Sequence, residues 1–560
     1  MLVATSAQMK TVDSTAINRF GIPGIALMEN AGRSVALKCL ELLKLQRQKT
    51  EGETRGVSRK AVIFAGKGSN GGDGFVVARY LHNWGFDVVA ILTGGRCEEV
   101  KGDARINLNI CKEMGLPILE VPTSEPETLK AVEAALATAD LIVDALLGTG
   151  SKGAPREPVS SIISLINDCS SKRKVPVVAV DLPSGVDADD GSIPGEVVKA
   201  TQTVTMGLLK RGLILFPGAE AAGDVTVADI SLPREAVAAA DIEMEVITPE
   251  FLRSLGSGEN GRESVSHGVL FPRKHDTHKG TYGHVLVIAG SRGFTGAATL
   301  AAMGALRAGA GLVTVACPAG IQDLVASKLT EAMTVPLPDD GSGKVCPAAA
   351  DAVLDAAEGK NVIAVGPGLG RTQSVYLVIE ALLERAKVPL VIDADGLSVL
   401  GGKAPVIKKA AETSGFLPVL TPHPGEMGRL LQKSTREVQD DRPGSVQTLA
   451  RDASCVAVLK GARTLVSDGR RIYANLTGNP GMASGGMGDV LTGMIAGFIA
   501  QGASPLEGAL LGVYLHGLAG DLALAQTGEK ALLATDLLEQ VGPAILKLSG
   551  ASSLSPSQAV

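Results

Sequence analysis

A short apolar, β-branched run that most often halts at glycine or aspartate and gives way to helical spacing recurs along this chain, and few folds accommodate it. Such runs fall at residues 61–65, 141–144, 177–181, 285–289, 312–316, 362–365, 390–396 and 455–459. Continuously apolar strands are buried on both faces, and alternation with helices places them in parallel sheets covered by helices. The fold class is therefore α/β, with a Rossmann-like doubly wound sheet in the first half and a second α/β domain behind it. β-type runs at 197–198, 201–206 and 224–228 are expected to finish the first sheet. At 560 residues the chain is too long for one core. The stretches 257–264 and 273–279 are polar and without period, which sets the expected boundaries: a first domain over 1–240, a linker and entry segment over 241–280, and a second domain over 281–550. Beyond residue 548 the Ser-rich tail is expected to be disordered.

Charge and composition remove several function classes. A net charge of -6 and 3% aromatic residues supply neither the basic patch nor the interleaved stacking groups that nucleic acid requires. The seven cysteines are scattered with no Cys-x-x-Cys, as expected for free thiols in a reducing, cytoplasmic compartment. Apolar runs such as 208–215, interrupted by Lys210 and Arg211, fall short of a membrane span, and residues 1–10 lack a leader pattern. Residues 6–45 carry helical spacing broken at 21–24, and read as helices that cover the first sheet or form a dimer face, so a homo-oligomer is expected.

The chemistry concentrates at residues 478–493, where Gly-Gly-Met-Gly-Asp (485–489) precedes a small and branched apolar run over 490–500. A Gly-rich turn opening a helix gathers unpaired N–H groups and the positive end of the dipole, so it is an anion site that a phosphate can approach closely. Asp489 would repel that anion as a ligand. Its use there is to take a proton from a hydroxyl attacking phosphorus, while the N–H groups neutralise the phosphoryl oxygens. The string also suits a plain helix start with an acid in its first turn.

This string resembles the anion hole of the ribokinase-like superfamily. With Asn-Pro-Gly-Met-Ala at 479–483 it is similar to one branch, the ADP- or ATP-dependent NAD(P)H-hydrate dehydratases. Four more strings agree in order: Lys-Gly-Thr-Tyr-Gly-His-Val (279–285), Gly-Pro-Gly-Leu-Gly (366–370), Leu-Thr-Pro-His-Pro-Gly-Glu-Met (420–427) and Leu-Lys-Gly-Ala-Arg-Thr (459–464). The resemblance implies a ribokinase-like second domain that phosphorylates and dehydrates the S hydrate with ADP. It places Ala297, Gly368, Gly370, His423 and Asp489 on the hydrate, and Lys460, Gly461, Ala462, Arg463, Thr464 and Gly488 on the adenine nucleotide. Glu426 resembles a position that related kinases use for magnesium through water; Thr421 and Glu426 also suit a capped helix start.

In the first half, strand 61–65 feeds Gly-Lys-Gly-Ser-Asn-Gly-Gly-Asp-Gly (66–74), a strand, Gly-rich loop and helix plan for binding phosphate or dinucleotide. Asp144 and Asp181 end the next two strands, where ligands sit in parallel sheets, although such acids also cap helices. Together with Met-Glu-Asn-Ala-Gly-Arg at 28–33, this half resembles NAD(P)H-hydrate epimerase, with Ser69 standing where that family usually has Asn. The resemblance implies that Asn70, Asp144 and Ser184 hold potassium, an all-oxygen set whose ion the sequence alone does not choose over magnesium. It puts Ser69, Asn70, Gly71, Gly72, Asp73, Gly148, Thr149, Gly150, Ser151, Lys152, Gly153, Ala154 and Asp181 on the hydrate; the strand-end position of Asp181 also suits a catalytic base, a hydrogen bond to the hydrate being the alternative. Lys210 matches a family loop that carries a lysine near the substrate phosphates, a solvated lysine being the alternative.

The whole is similar to the bifunctional repair proteins that epimerise the R and S hydrates of NADH and NADPH and dehydrate the S form. A hydroxymethylpyrimidine- or thiazole-type kinase, and a nucleotide sensor without turnover, are the rival readings. His423, the 479–483 string and the epimerase-like half favour repair over the first; an acid beside phosphate disfavours the second.

Overall fold

The computed structural model describes residues 1–49, 59–255, 273 and 275–550; the 257–264 linker expectation and the tail from 551 lie outside them. Two compact units divide the chain, one over Leu2–Ile242 and one beginning at Glu243.

The first unit contains β1 (Leu2–Ala4), β2 (Lys60–Ala65), β3 (Asp87–Thr93), β4 (Ile118–Val121), β5 (Leu141–Ala145), β6 (Val177–Val180), β7 (Gln202–Met206), β8 (Leu209–Lys210) and β9 (Asp224–Ala228). Its main sheet runs β4-β3-β2-β5-β6-β7-β9 with every pair parallel. Chain order reverses between β2 and β5, so the loops after these two strands diverge and leave a crevice at their carboxyl ends. β2 is buried from Ala61 to Ala65, and its two faces feed separate apolar clusters, Ile63 in one and Phe64 in the other. Full burial of a side chain such as Phe64 stabilises by about 1.5–3 kcal/mol. Residues 197–198 do not join the sheet as expected. The Val198 N–H donates to the Ser184 carbonyl at 2.9 Å and the Val197 carbonyl accepts from Asn167 at 2.8 Å, so their backbone groups are satisfied elsewhere. A separate parallel pair, β1 with β8, sets Ala4 opposite Lys210.

The second unit holds β10 (Met244–Val246), β11 (His284–Ile288), β12 (Leu312–Pro318), β13 (Met333–Leu337), β14 (Val362–Val365), β15 (Leu390–Ile392), β16 (Val419–Leu420), β17 (Val456–Leu459), β18 (Leu465–Ser467) and β19 (Ile472–Ala474). They order as β13-β12-β11-β14-β15-β16-β17-β18-β19-β10, with β18 antiparallel to both its neighbours. Here the order reverses between β11 and β14. Helices Thr295–Arg307 and Met487–Ala500 pack backbone to backbone: a methyl group on Gly493 would collide with the Ala301 carbonyl, one on Gly304 with the Val490 carbonyl, and one on Gly497 would sit 2.7 Å from the Ala305 carbonyl oxygen. Helix Pro505–Thr527 is long and apolar enough to cross a membrane by length and composition, a stretch the sequence reading passed over. Its residues from Gly508 to Gly520 are buried and its apolar ones join the core of this unit, which accounts for their apolarity.

Candidate functional site

In the first unit a cavity of about 660 Å³ opens at the β2/β5 crevice. Ser69, Asn70 and Asp73 from the first loop line it with Gly148, Thr149, Gly150 and Ser151 from the second and Asp181 and Lys210 from further along the chain. Gly71 and Gly72 do not. Both are buried in the helix Ser69–Asn83, where a methyl on Gly71 would collide with the Gly66 carbonyl and one on Gly72 would lie 2.6 Å from the Met28 side chain. Lys152 is tied to Asp187 at 2.7 Å and Asp189 at 2.8 Å. Gly153 lines a small adjoining pocket, and Ala154 packs where a Gly195 side chain would be.

Asp144 is fully buried. It accepts from Ser184 N at 2.8 Å, Ser184 Oγ at 2.7 Å and Leu146 N at 3.2 Å, while the Asn70 amide donates to the Leu147 carbonyl at 2.8 Å. Burial pushes its carboxyl up to about 6 against these hydrogen bonds, which favour the ion. Asp181 has φ +67, a left-handed conformation uncommon outside glycine. Its Oδ1 accepts from Lys210 Nζ at 2.5 Å, Thr205 Oγ1 at 3.0 Å and Met206 N at 3.1 Å. Lys210 donates further to Thr205 Oγ1 at 3.0 Å and the Met206 carbonyl at 2.8 Å and is 1% exposed, which overturns the solvated alternative.

In the second unit Gly486, at φ +90, caps the helix Met487–Ala500 and leaves Asp489 in its first turn. Lys460 donates to Asp393 Oδ1 at 2.6 Å and lies 4.0 Å from Glu426 Oε2. The second Asp393 oxygen accepts from Thr492 at 2.8 Å. A methyl on Gly488 would be 3.4 Å from the Lys460 ammonium, so the anion-hole turn and this lysine face each other. Burial first, and the Asp393 charge second, raise Asp489 to about 6, the range suited to a base working near neutrality.

The helix start at 424 is capped by His423 rather than Thr421. His423 Nδ1 accepts from Gly425 N at 3.0 Å and Glu426 N at 3.3 Å, and Glu426 returns the bond to His423 N at 2.9 Å. With Nδ1 accepting, the neutral ring carries its hydrogen on Nε2. Burial and the nearby Lys460 hold His423 below its ordinary value. Gly461, Ala462, Arg463 and Thr464 form a turn with Arg463 at φ +56, clamped by Arg442, which donates to the Leu459, Lys460 and Arg463 carbonyls at 3.3, 3.5 and 3.4 Å. Gly368 lies so close to Ala297 that a methyl on it would be 3.0 Å from the Ala297 Cβ. Gly370 N donates to Asp395 at 2.8 Å. Asp521 accepts from Gly478 N at 3.0 Å and Asn479 Nδ2 at 2.9 Å, which holds the Asn-Pro-Gly string. Sequence reasoning missed Arg442, Thr492 and Asp521, and Asp393 was visible only as a strand end.

Residues 285–542 match the NAD(P)H-hydrate dehydratase family and residues 24–212 the YjeF-related protein N-terminus family. The bifunctional NAD(P)H-hydrate repair enzyme Nnr of Moorella thermoacetica is 43% identical over 542 residues, 96% of either chain. Its counterpart from Thermofilum pendens is 34% identical over 98% of this chain and 97% of its own. Among solved structures, the ADP/ATP-dependent NAD(P)H-hydrate dehydratase of Bacillus subtilis, co-crystallized with ATP and Mg2+, is 30% identical, with a TM-score of 0.43, over 54% of this chain and 98% of its own. The identity shared along nearly the whole length with enzymes that join both activities makes this chain a member of the bifunctional NAD(P)H-hydrate repair enzyme family.

Proposed function

We propose that the two units divide the repair between them: the first interconverts the R and S hydrates of NADH and NADPH, and the second restores the dihydronicotinamide from the S form with ADP as phosphoryl donor. The observation that carries the reading is Asp489, held near pKa 6 in the first turn of a glycine-capped helix beside Lys460. Asp489 takes the proton of the ring hydroxyl as its oxygen attacks the β-phosphorus, and AMP leaves. The turn's N–H groups and the Lys460 ammonium stabilise the charge on the transferring group. Phosphate then departs with a proton from the neighbouring ring carbon, giving the dihydronicotinamide. His423, Ala297, Gly368 and Gly370 orient the hydrate, and residues 460–464 with Gly488 hold the adenine nucleotide.

Asn70, Asp144 and Ser184 suit a monovalent hard cation. A single carboxylate, buried and without a basic partner among the described residues, is joined there by amide and hydroxyl oxygens. Potassium bound there would neutralise that carboxylate. Glu426 suits magnesium held through water, since His423 N and its ring already engage both carboxylate oxygens. Asp181 serves the epimerisation as base or as hydrogen-bond partner of the hydrate. The test is a pair of variants of the full chain: Asp181→Ala abolishes R-to-S conversion and spares dehydration of pure S hydrate, and Asp489→Asn does the reverse. Loss of both activities in either variant would mean one shared site.

A further inference from the structure

We propose that Asp13, on the helix Ser6–Asn18, is a catalytic acid of the first unit, the group that protonates the hydrate's ring hydroxyl during epimerisation; this rests on the epimerase reading above. Met9, Asp13 and Ile17 lie one turn apart on a single helix face, and all three line the 660 Å³ cavity. A carboxylate in the middle of an otherwise apolar stripe has no packing reason to be there. The family match of this half begins at residue 24, beyond this helix.

The helix is built in register with the rest of the site. β1, which leads into it, pairs with β8 so that Ala4 stands opposite Lys210. Its N-terminus is fixed by the Thr5 capping box and by Ser6, which donates to Asp189 through both its N–H, at 2.5 Å, and its hydroxyl, at 2.9 Å. Asp13 thus shares one cavity with Asp73 and with the Asp181–Lys210 pair, and Lys67 and Asp103 complete its charged lining. Asp181 Oδ1 is engaged by Lys210, Thr205 and Met206. Asp13 and Asp73 receive no hydrogen bond from any described residue, so their oxygens are left for a ligand. Burial raises both free acids, Asp73 well above the usual carboxylate range, with the Asp181 charge adding to it in each.

The step balances without a co-reactant. The Asp13 carboxylic acid gives its proton to the hydroxyl, the carbon–oxygen bond breaks to release water, and the ring nitrogen's lone pair forms the iminium. Water adds to the opposite face and releases a proton to solvent, from which the Asp13 carboxylate takes one back.

The experiment follows R-to-S conversion and, separately, ADP-dependent dehydration of pure S hydrate, in the full chain. Asp13→Asn is expected to lower the epimerisation kcat by about 10²–10⁴-fold, with KM within about threefold and dehydration unchanged. Epimerisation kcat within about threefold of wild type overturns the assignment. If Asp13→Asn also lowers the thermal transition, Asp13→Glu decides: a return of at least about tenfold in kcat supports a proton-transfer role, and a Glu variant as slow as the Asn one overturns it. A wild-type chain that converts no R hydrate overturns the proposed function together with this inference, whereas an indifferent Asp13→Asn in an active chain overturns this inference alone.

Discussion

Each unit sets a lysine against an aspartate that follows a strand, and the two pairs differ in how much of the ammonium is left over. Lys210 is 1% exposed and spends its donors on Asp181, Thr205 and the Met206 carbonyl. Lys460 is 19% exposed, and its one hydrogen bond among the described residues goes to Asp393. An ammonium has three donors. The first is therefore a brace on Asp181 in its left-handed turn, and the second has donors left over, which the function proposed above gives to an incoming phosphoryl group. The same two residue types leave no free donor in one site and spare donors in the other.

That contrast can be broken most sharply at the anion hole. Asp489→Asn should slow dehydration by about 10²–10⁴-fold while nucleotide titration still reports binding; near-normal turnover would remove the base from the second site. Next comes the pair of lysines. Lys210→Met takes the ammonium from the half-buried Asp181 carboxylate and should cost the first unit about 1.5–3 kcal/mol, read from urea unfolding. Lys460→Met also strands a carboxylate, Asp393 at 1% exposed, and should destabilise the second unit by about 3–5 kcal/mol, but in addition it should cost about 10²–10³-fold in dehydration rate, the scale of losing one charge-stabilising donor. Dehydration near wild type in folded Lys460→Met would make that lysine a brace as well.

A smaller effect is expected from pH. Because Asp489 is raised to about 6 and acts as a base, its active form is present above that value, and dehydration kcat/KM should fall about tenfold per unit as pH drops below about 6. Dehydration flat down to pH 5, measured on folded protein, would contradict the assignment. The smallest change is at Ser69, an exposed residue in the first turn of its helix. Ser69→Asn restores the usual family residue and should move epimerisation by about twofold, the equivalent of ~0.5 kcal/mol.

Much of this architecture is legible in the chain because parallel strands announce themselves as apolar runs, and their ends carry the ligands. Asp144, Asp181 and the 485–489 turn sit where that logic puts them. What it does not reveal are the partners. Lys210 meets Asp181 across 29 residues and Lys460 meets Asp393 across 67, and no spacing rule encodes such distances. Asp13 escapes because a charged residue on an amphipathic helix looks like a solvated one until the face it shares with Met9 and Ile17 is found to line a cavity. The cap at 424 is half legible for a related reason: Glu426 closes the capping box as its type suggests, but the residue whose ring nitrogen reaches the free N–H groups is His423 and not the stronger capping type, Thr421. Helix Pro505–Thr527 has an apolar surface explained only by the neighbours that cover it.

The glycines between helices Thr295–Arg307 and Met487–Ala500 set a gauge for the second site. Side chains can exchange rotamers and let two helices slip, but peptide groups in direct contact have nothing to rearrange. Ala297 rides on one helix and Asp489 on the other, so the span between these two proposed site residues is held by backbone contact. On the function proposed above, a hydroxyl held one bond too near or too far would meet no compliance there.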